Sequence, residues 1–178
     1  MLALRSKRDA PLAPAITPAA PLLAMRGVSR RFHTSRHDTT AVQDLDIEIN
    51  EGEFVCVVGP SGCGKSTLLN LVAGLDRPTE GEIMFDGRPL RRPGADRVVV
   101  FQDAALYPWL NVRANVEFGL RVKGVGRRER AAIVDRYVEL VNLTEFERGF
   151  VHELSGGMKQ RVQLARALAV EPRMLLMD

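Results

Sequence analysis

A glycine-rich loop placed between an apolar run and an amphipathic segment constrains this chain more than any other feature. The pattern G-x-x-x-x-G-K-[ST] is matched in full by residues 59–66, which read Gly59-Pro60-Ser61-Gly62-Cys63-Gly64-Lys65-Ser66. The continuous apolar run Phe54–Val58 before the loop predicts a strand buried on both faces. A helix is predicted from about Lys65, with Gly74 as its C-cap. A strand, a glycine loop and a helix in this order predict a phosphate-binding loop.

Each residue type in the loop has a physical role in holding phosphate. Glycines allow successive backbone N–H groups to turn toward phosphate oxygens, and the start of the helix adds partial positive charge at the same point. Lys65 is predicted to be the mobile charge for the β- and γ-phosphates, and Ser66 to supply a hydroxyl for Mg²⁺. The loop therefore indicates a nucleotide, without saying what the nucleotide is used for.

A second anion site is indicated by Leu154-Ser155-Gly156-Gly157-Met158-Lys159-Gln160-Arg161. Ser155 is a good N-cap, and the two glycines after it leave the backbone amides uncovered. The alternative is an ordinary serine cap on a surface helix. A cap does not require two glycines, however, and together they cost roughly 1–2 kcal/mol in backbone entropy. We therefore favour an anion site.

The remaining patterns predict strands and helices in the order of an α/β domain. Strands are predicted at 25–32, 41–49, 83–85, 98–101 and 174–177, and amphipathic helices at 128–141 and 158–169. Asp86-Gly87 predicts a tight turn after the third strand. Buried strands that alternate with helices imply a parallel sheet with helices on its faces.

Composition limits the other classes of function. With 46% hydrophobic residues the chain can form one globular core, and its net charge of +3 is too small to argue strongly for nucleic acid. No apolar run approaches the roughly 20 residues that span a bilayer. Cys56 is predicted to be a small core residue, and with Cys63 it forms no metal-type pair. Residues 1–24, interrupted by four prolines, are predicted to be a disordered leader.

Taken together, the motifs resemble those of the ATP-binding cassette (ABC) family from about Met25 to Asp178. Residues 59–66 match the Walker A loop, and residues 154–160 match the signature motif. Gln102, after the strand at 98–101, resembles the Q-loop glutamine. Residues 174–178 resemble the Walker B strand, with Asp178 as the carboxylate that holds Mg²⁺ through water.

The resemblance implies a fold and a set of functional residues. The implied fold is α/β: a P-loop NTPase with a parallel core sheet, a small antiparallel β subdomain and an inserted α-helical subdomain, incomplete at the C-terminus. Its implied divisions are a β subdomain with the P-loop core at 25–101, a helical subdomain at 102–170 and the Walker B strand at 171–178. The implied catalytic residues are Lys65, Gln102 and Asp178, and the implied Mg²⁺ ligands are Ser66, Gln102 and Asp178. The residues implied to bind ATP are Phe32, Gly59, Pro60, Ser61, Gly62, Cys63, Gly64, Lys65, Ser66, Thr67, Ser155, Gly156 and Gly157. Phe32 would stack on adenine, although a core role for it stays open.

The resemblance also implies partners. Family members work as head-to-tail dimers, so Ser155 would serve the nucleotide of a second copy of the ATPase. The segment from Phe101 to Val116 resembles the same segment in ATPases of the nitrate/sulfonate/taurine importer group. The ATPases of this group bind transmembrane permease subunits at the cytoplasmic face of the plasma (inner) membrane. They work with an extracytoplasmic solute-binding protein only indirectly. Trp109 would then be an interface anchor for the permease, with burial in the helical core as the alternative.

The printed sequence stops at Asp178, where the family places a catalytic glutamate next. The resemblance therefore implies a fragment of a longer importer ATPase, lacking the strand that would join residues 54–58 to residues 174–177. Two other interpretations stay open. One is a non-hydrolysing ATP-binding regulatory module. The other, which rests on arginine content, is a nucleic-acid-associated ATPase; we expect no nucleic-acid partner.

Overall fold

The computed structural model describes residues 20–33 and 38–178. Most of the predicted leader, residues 1–19, therefore lies outside the described part of the chain. The described elements are β1 (Leu23–His33), β2 (Asp38–Ile49), α1 (Lys65–Ala73), β3 (Glu80–Phe85), β4 (Arg88–Pro89), β5 (Arg97–Val100), α2 (Val112–Val122), α3 (Arg127–Leu140), α4 (Gly156–Ala169) and β6 (Met174–Met177), with short 3-10 turns at Thr144–Phe146 and Val151–Glu153.

The first part of the chain forms an antiparallel sheet in the order β2-β1-β3-β4. β1 is central: Leu23 lies opposite Ile49 of β2 on one side and opposite Phe85 of β3 on the other. The predicted turn at Asp86-Gly87 is confirmed, because both residues have positive φ (51° and 68°), as the tightest hairpin turns require. The predicted strands at 25–32, 41–49 and 83–85 are also confirmed.

The ordered structure begins earlier than the predicted boundary at Met25. β1 starts at Leu23, and Leu22 and Leu23 are only 5% and 0% exposed. Their side chains join a core with the apolar residues of α1 and with Phe85 and Leu176. The last residues of the predicted leader therefore belong to the folded domain, because the core buries them.

The second sheet is a parallel pair, β5 and β6, in which Arg97 lies opposite Met174 and Val100 opposite Met177. Both strands were predicted. The strand predicted at Phe54–Val58 was wrong: these residues are extended but pair with none of the described strands. Phe54 is 83% and Val58 90% exposed, and Cys56, predicted to lie in the core, is exposed as well. An apolar run is buried only when neighbouring strands cover it.

The helical layer consists of α2, α3 and α4 around a core of their own. The predicted helices at 128–141 and 158–169 are confirmed as α3 and α4, each starting one or two residues earlier. Val134 and Val138 of α3 are buried in this core, whereas Leu140 is 62% exposed. The core residues of this layer are Leu106, Val112, Val116, Leu120, Val134, Val138, Val141, Leu143, Leu154, Val162, Ala165 and Ala169. None of the helices in the described ranges has the length and apolar character needed to cross a bilayer.

Candidate functional site

The glycine loop is shaped by two residues that only glycine suits. Gly62 and Gly64 have φ values of 80° and 97°, in the left-handed region. A Cβ on Gly64 would lie 2.2 Å from the carbonyl oxygen of Ala41, so the backbone of β2 packs directly against the loop. A Cβ on Gly62 would meet open space. The loop is therefore held against the antiparallel sheet at Gly64 and is free on its outer side at Gly62.

The loop leads directly into α1, whose first amides are available to an anion. Leu68 N–H donates to Gly64 O at 2.8 Å, and within the loop Cys63 N–H donates to Pro60 O at 3.4 Å. Among the described residues, no acceptor is found for the amides of residues 64–67. Unpaired amides at a helix start carry the positive end of the helix dipole. The geometry agrees with the predicted phosphate-binding loop.

Lys65, the first residue of α1, lies across this loop. Its Nζ donates to the carbonyl oxygens of Gly59 at 2.9 Å and Pro60 at 2.8 Å, and it lies 3.8 Å from Cys63 Sγ. The ammonium group is thus kept beside the free amides, where it would neutralise phosphate charge. A long flexible stem lets it leave these carbonyls for a stronger anionic acceptor.

Ser66 and Asp178, 112 positions apart in sequence, meet at the same place. Ser66 Oγ donates to Asp178 Oδ1 at 3.2 Å. Asp178 is positioned by β6, because its own N–H donates to Val100 O of β5 at 3.0 Å. A hydroxyl and a carboxylate are the hard oxygen ligands that Mg²⁺ prefers, and they lie beside the phosphate loop. These two residues therefore fit a magnesium ion bound to a nucleotide phosphate.

Gln102 is not part of this contact. It is exposed in the segment after β5, and no hydrogen bond joins its side chain to Ser66, Asp178 or any other described residue. Its predicted roles as a catalytic residue and Mg²⁺ ligand stay predictions.

Phe32 lies on β1 near the loop but not in the core. It is 36% exposed, and the guanidinium of Arg30 lies 4.4 Å from its ring centroid. Phe32 pairs with Thr39 of β2, two residues from the Ala41 that contacts Gly64. The register therefore puts Phe32 close to the part of β2 that contacts the loop. The core alternative for Phe32 is wrong, and adenine stacking stays a prediction.

Ser155 is the N-cap of α4, as predicted. Its Oγ accepts a hydrogen bond from Met158 N–H at 3.3 Å, and Gly156 and Gly157 are exposed with open space around them. Within the described residues, no hydrogen bond or ion pair joins 155–157 to the loop at 59–67. The helix starts at Lys65 and Gly156 are thus two separate candidate anion sites.

Comparison with known proteins shows the family to which this chain is similar. The sequence model of the family described as "ABC transporter" matches residues 42–178. The chain belongs to the ABC transporter family. The predicted resemblance is confirmed, and residues 59–66, 154–160 and 174–178 are accordingly called the Walker A, signature and Walker B motifs below.

Curated relatives extend the match toward the N-terminus. The chain is 49% identical over 156 residues to the nitrate import ATP-binding protein NrtD of Synechocystis sp., which covers 88% of this chain and 59% of that protein. It is 52% identical over 156 residues to the taurine import ATP-binding protein TauB of Burkholderia pseudomallei, covering 88% of this chain and 60% of that protein. The chain thus spans about three-fifths of the length of these relatives.

A solved structure shares the fold. An ATP-binding cassette in a dimeric post-hydrolysis state, bound to ADP and Pi, superposes with a TM-score of 0.78 at 34% identity, covering 88% of this chain and 73% of that one. The predicted P-loop α/β fold is therefore confirmed. The names of the relatives agree with ATP as the predicted cofactor.

Two buried polar residues that support the ABC motifs were missed in the sequence. Gln163 of α4 is 2% exposed, and its Nε2 donates to Phe101 O at 3.1 Å, which holds the backbone just before Gln102. Asn115 of α2 is fully buried; its Oδ1 accepts from Tyr107 N–H, and its Nδ2 donates to three carbonyls of the segment 107–111. A polar residue on an otherwise apolar helix face was the available signal.

The segment that Asn115 holds carries an exposed aromatic cluster. Trp109 is 71% exposed, so its alternative placement in the helical core is wrong. Tyr107 lies between Trp109 and Phe118, with ring centroids 5.7 and 4.4 Å away. Arg166 covers Tyr107 at 5.4 Å, and burial lowers the pKa of this arginine. Asn115 and Arg166 hold the segment on its inner side, while Trp109 faces outward.

Proposed function

We propose that this chain is the greater part of the ATP-binding subunit of an ABC importer, which couples ATP binding and hydrolysis to uptake of a small anion such as nitrate, a sulfonate or taurine. The observation that carries the proposal is the contact of Ser66 with Asp178 beside the Walker A loop. The relatives named as nitrate and taurine import proteins support the choice of importer and solute class.

The chain's own residues would divide the work on ATP as follows. The amides of residues 64–67 would donate to the phosphate oxygens, and Lys65 would leave the loop carbonyls to neutralise the β- and γ-phosphate charge. Ser66 and Asp178 would hold Mg²⁺, whose charge makes the terminal phosphate easier to attack. Phe32 would stack on the adenine ring, one strand from the loop.

The signature motif is proposed to act on a second copy of the subunit. Ser155 and the bare amides of Gly156 and Gly157 form an exposed helix start that the chain's own loop does not use. In a head-to-tail dimer this start would close on the ATP bound by the partner copy. A cassette of the same fold solved as a dimer supports this arrangement.

The permease is proposed to dock at the aromatic cluster around Trp109. An exposed tryptophan on a segment fixed by a fully buried asparagine makes a pre-organised interface anchor. The subunit would then lie on the cytoplasmic face of the plasma (inner) membrane as a peripheral protein, and would meet the solute-binding protein only through the permease.

A titration with a fluorescent ATP analogue, with and without Mg²⁺, tests the nucleotide site. We expect Lys65→Ala to abolish binding, and Ser66→Ala and Asp178→Asn to remove only the gain in affinity that Mg²⁺ produces. Glu139→Gln, at an exposed carboxylate of α3 outside the loop, is the matched control for Asp178→Asn and should bind normally. Equal Mg²⁺ dependence in Asp178→Asn and the unmodified chain would contradict the assignment.

Uptake in the native organism tests the importer role and the regulatory alternative. We expect a chromosomal Lys65→Ala substitution to abolish uptake of labelled nitrate, taurine or another sulfonate, because transport requires ATP turnover. The regulatory module instead predicts ATP binding without phosphate release by the complete protein. Normal uptake of all three solute classes in the substituted strain would argue against this importer group.

A further inference from the structure

The connection between α2 and α3 concentrates positive charge. Residues 121–128, here called the cationic corner, read Arg-Val-Lys-Gly-Val-Gly-Arg-Arg and contain four cationic and no acidic side chains. Their charge exceeds the net charge of +3 of the whole chain, so the rest of the chain is slightly negative. Residues 121–128 therefore carry a local excess of positive charge at one corner of the helical layer.

Three of the four charges of the corner have no partner among the described residues. Arg121, Arg127 and Arg128 are exposed, and none has an ion pair or a side-chain hydrogen bond with any residue that the structure describes. Nearby arginines differ: Arg113 bonds to the carboxylates of both Asp135 and Glu147, which raises its pKa. Arg113 is thus paired with carboxylates, while Arg121, Arg127 and Arg128 have no carboxylate partner among the described residues.

The corner is nevertheless rigid. Lys123 N–H donates to Gly119 O and Val125 N–H to Leu120 O, both at 3.0 Å, which closes the end of α2 around Gly124 (φ 75°). The Nζ of Lys123 donates to Val170 O at the end of α4. The guanidinium of Arg130 donates to Val125 O at 2.8 Å. A surface held in this way loses little conformational entropy when it binds.

The corner also contains an exposed apolar residue. Val122 is 75% exposed and lies between Arg121 and Lys123. A valine flanked by cations suits a partner with a layer of anionic groups above an apolar region, which is the chemistry of a lipid surface. A nucleic acid offers no apolar layer beneath its phosphates for the valine to enter, and residues 121–128 contain no aromatic side chain on which a base could stack.

We propose that the cationic corner docks on the anionic lipid headgroups of the membrane, as a second attachment besides the permease. This rests on the membrane location in the proposed function. Arg121, Arg127 and Arg128 meet headgroup phosphates, and Val122 reaches the boundary below them. The attraction decreases with salt, because charges at a membrane surface are screened over about 8 Å at physiological ionic strength.

Co-sedimentation of the full chain with lipid vesicles tests the proposal. We expect binding to vesicles of equal parts phosphatidylglycerol and phosphatidylcholine, and none to pure phosphatidylcholine. Each cation at an anionic surface strengthens binding about fivefold, so Arg121→Gln/Arg127→Gln/Arg128→Gln should weaken it on the order of a hundredfold. Val122→Ser should weaken it severalfold at any salt concentration.

The matched control removes three other exposed arginines, with Arg88→Gln/Arg91→Gln/Arg92→Gln, and lowers the net charge equally. We expect it to keep vesicle binding within about threefold of the unmodified chain. Equal losses in the two triple variants, or equal binding to both kinds of vesicle, would overturn the proposal. So would duplex DNA binding that needs the corner arginines while vesicles are not bound.

Binding of the fluorescent ATP analogue by both triple variants, measured in parallel, should be unchanged. Absence of vesicle binding would therefore count against the membrane proposal and not against the nucleotide site. Absence of nucleotide binding by the unmodified chain would count against the proposed function instead. Circular dichroism of each variant shows that the exposed substitutions leave the helices in place.

Discussion

Gly62 and Gly64 offer a paired test of how the Walker A loop is built. An alanine at either position must adopt a positive φ, which costs roughly 1–2 kcal/mol for a residue with a Cβ. At 1.4 kcal/mol per factor of ten, this strain alone should weaken ATP binding about 5- to 30-fold. Gly62→Ala meets nothing else, because its Cβ would lie in open space.

Gly64→Ala carries a second cost. Its Cβ would lie 2.2 Å from Ala41 O, and a backbone oxygen of β2 cannot move aside as a flexible side chain can. Either β2 or the loop must shift, and a shift of the loop also moves Lys65 and Ser66. We therefore expect Gly64→Ala to bind the fluorescent ATP analogue at least tenfold more weakly than Gly62→Ala.

The assay is an equilibrium titration of each variant at one Mg²⁺ concentration, with urea unfolding of the same samples to measure stability. Gly126→Ala is the control without strain, because Gly126 has a φ of −61° and a Cβ there would meet open space. Equal affinities for Gly62→Ala and Gly64→Ala would refute the reasoning, since the contact with Ala41 would then have no effect on binding. A tenfold loss in Gly126→Ala, which is remote from the loop in sequence, would refute the attribution of the losses to the loop.

Three further predictions concern other parts of the molecule. Asn115→Ala should lower the free energy of unfolding in urea by about 2–4 kcal/mol, because it leaves buried backbone groups without hydrogen-bond partners. Asn111→Ala removes the N-cap of α2 and should lower the same free energy by only about 1 kcal/mol. Trp109→Ala should leave stability and ATP affinity unchanged but weaken co-purification with the permease; unchanged co-purification would contradict the docking role. Hydrogen bonds from the side chain and backbone of Asn50 lower the pKa of Glu53. These bonds should stabilise the protein fully above the ordinary pKa of a glutamate, and the stabilisation should be lost as pH falls through the lowered pKa. Glu53→Gln should remove this pH dependence from the midpoints of urea unfolding.

Local chemistry made much of the site predictable. The loop at 59–66 and the serine cap at 155 depend on residues within one or two turns of each other, so the sequence pattern and the geometry coincide. The same holds for the turn at Asp86-Gly87 and the helix end at Gly74, where positive φ singles out the residue. Helix periodicity located α3 and α4 for a similar reason.

Long-range pairing decided what periodicity could not. The apolar run 54–58 has the composition of a buried strand, yet it is exposed because no described strand pairs with it. Gln163 can be buried because Phe101, 62 positions away in sequence, accepts its hydrogen bond.

By itself the sequence determined the local features of the candidate sites: a glycine loop that leads into a helix, a serine-capped helix start and a carboxylate at the end of a strand. Only the tertiary structure decided that Ser66 and Asp178 meet, that Ser155 stays apart from them and that Trp109 faces outward. The physical reason is that a motif specifies the conformation of its own few residues. Which motifs come together depends on the sheets and cores that bury distant parts of the chain against one another.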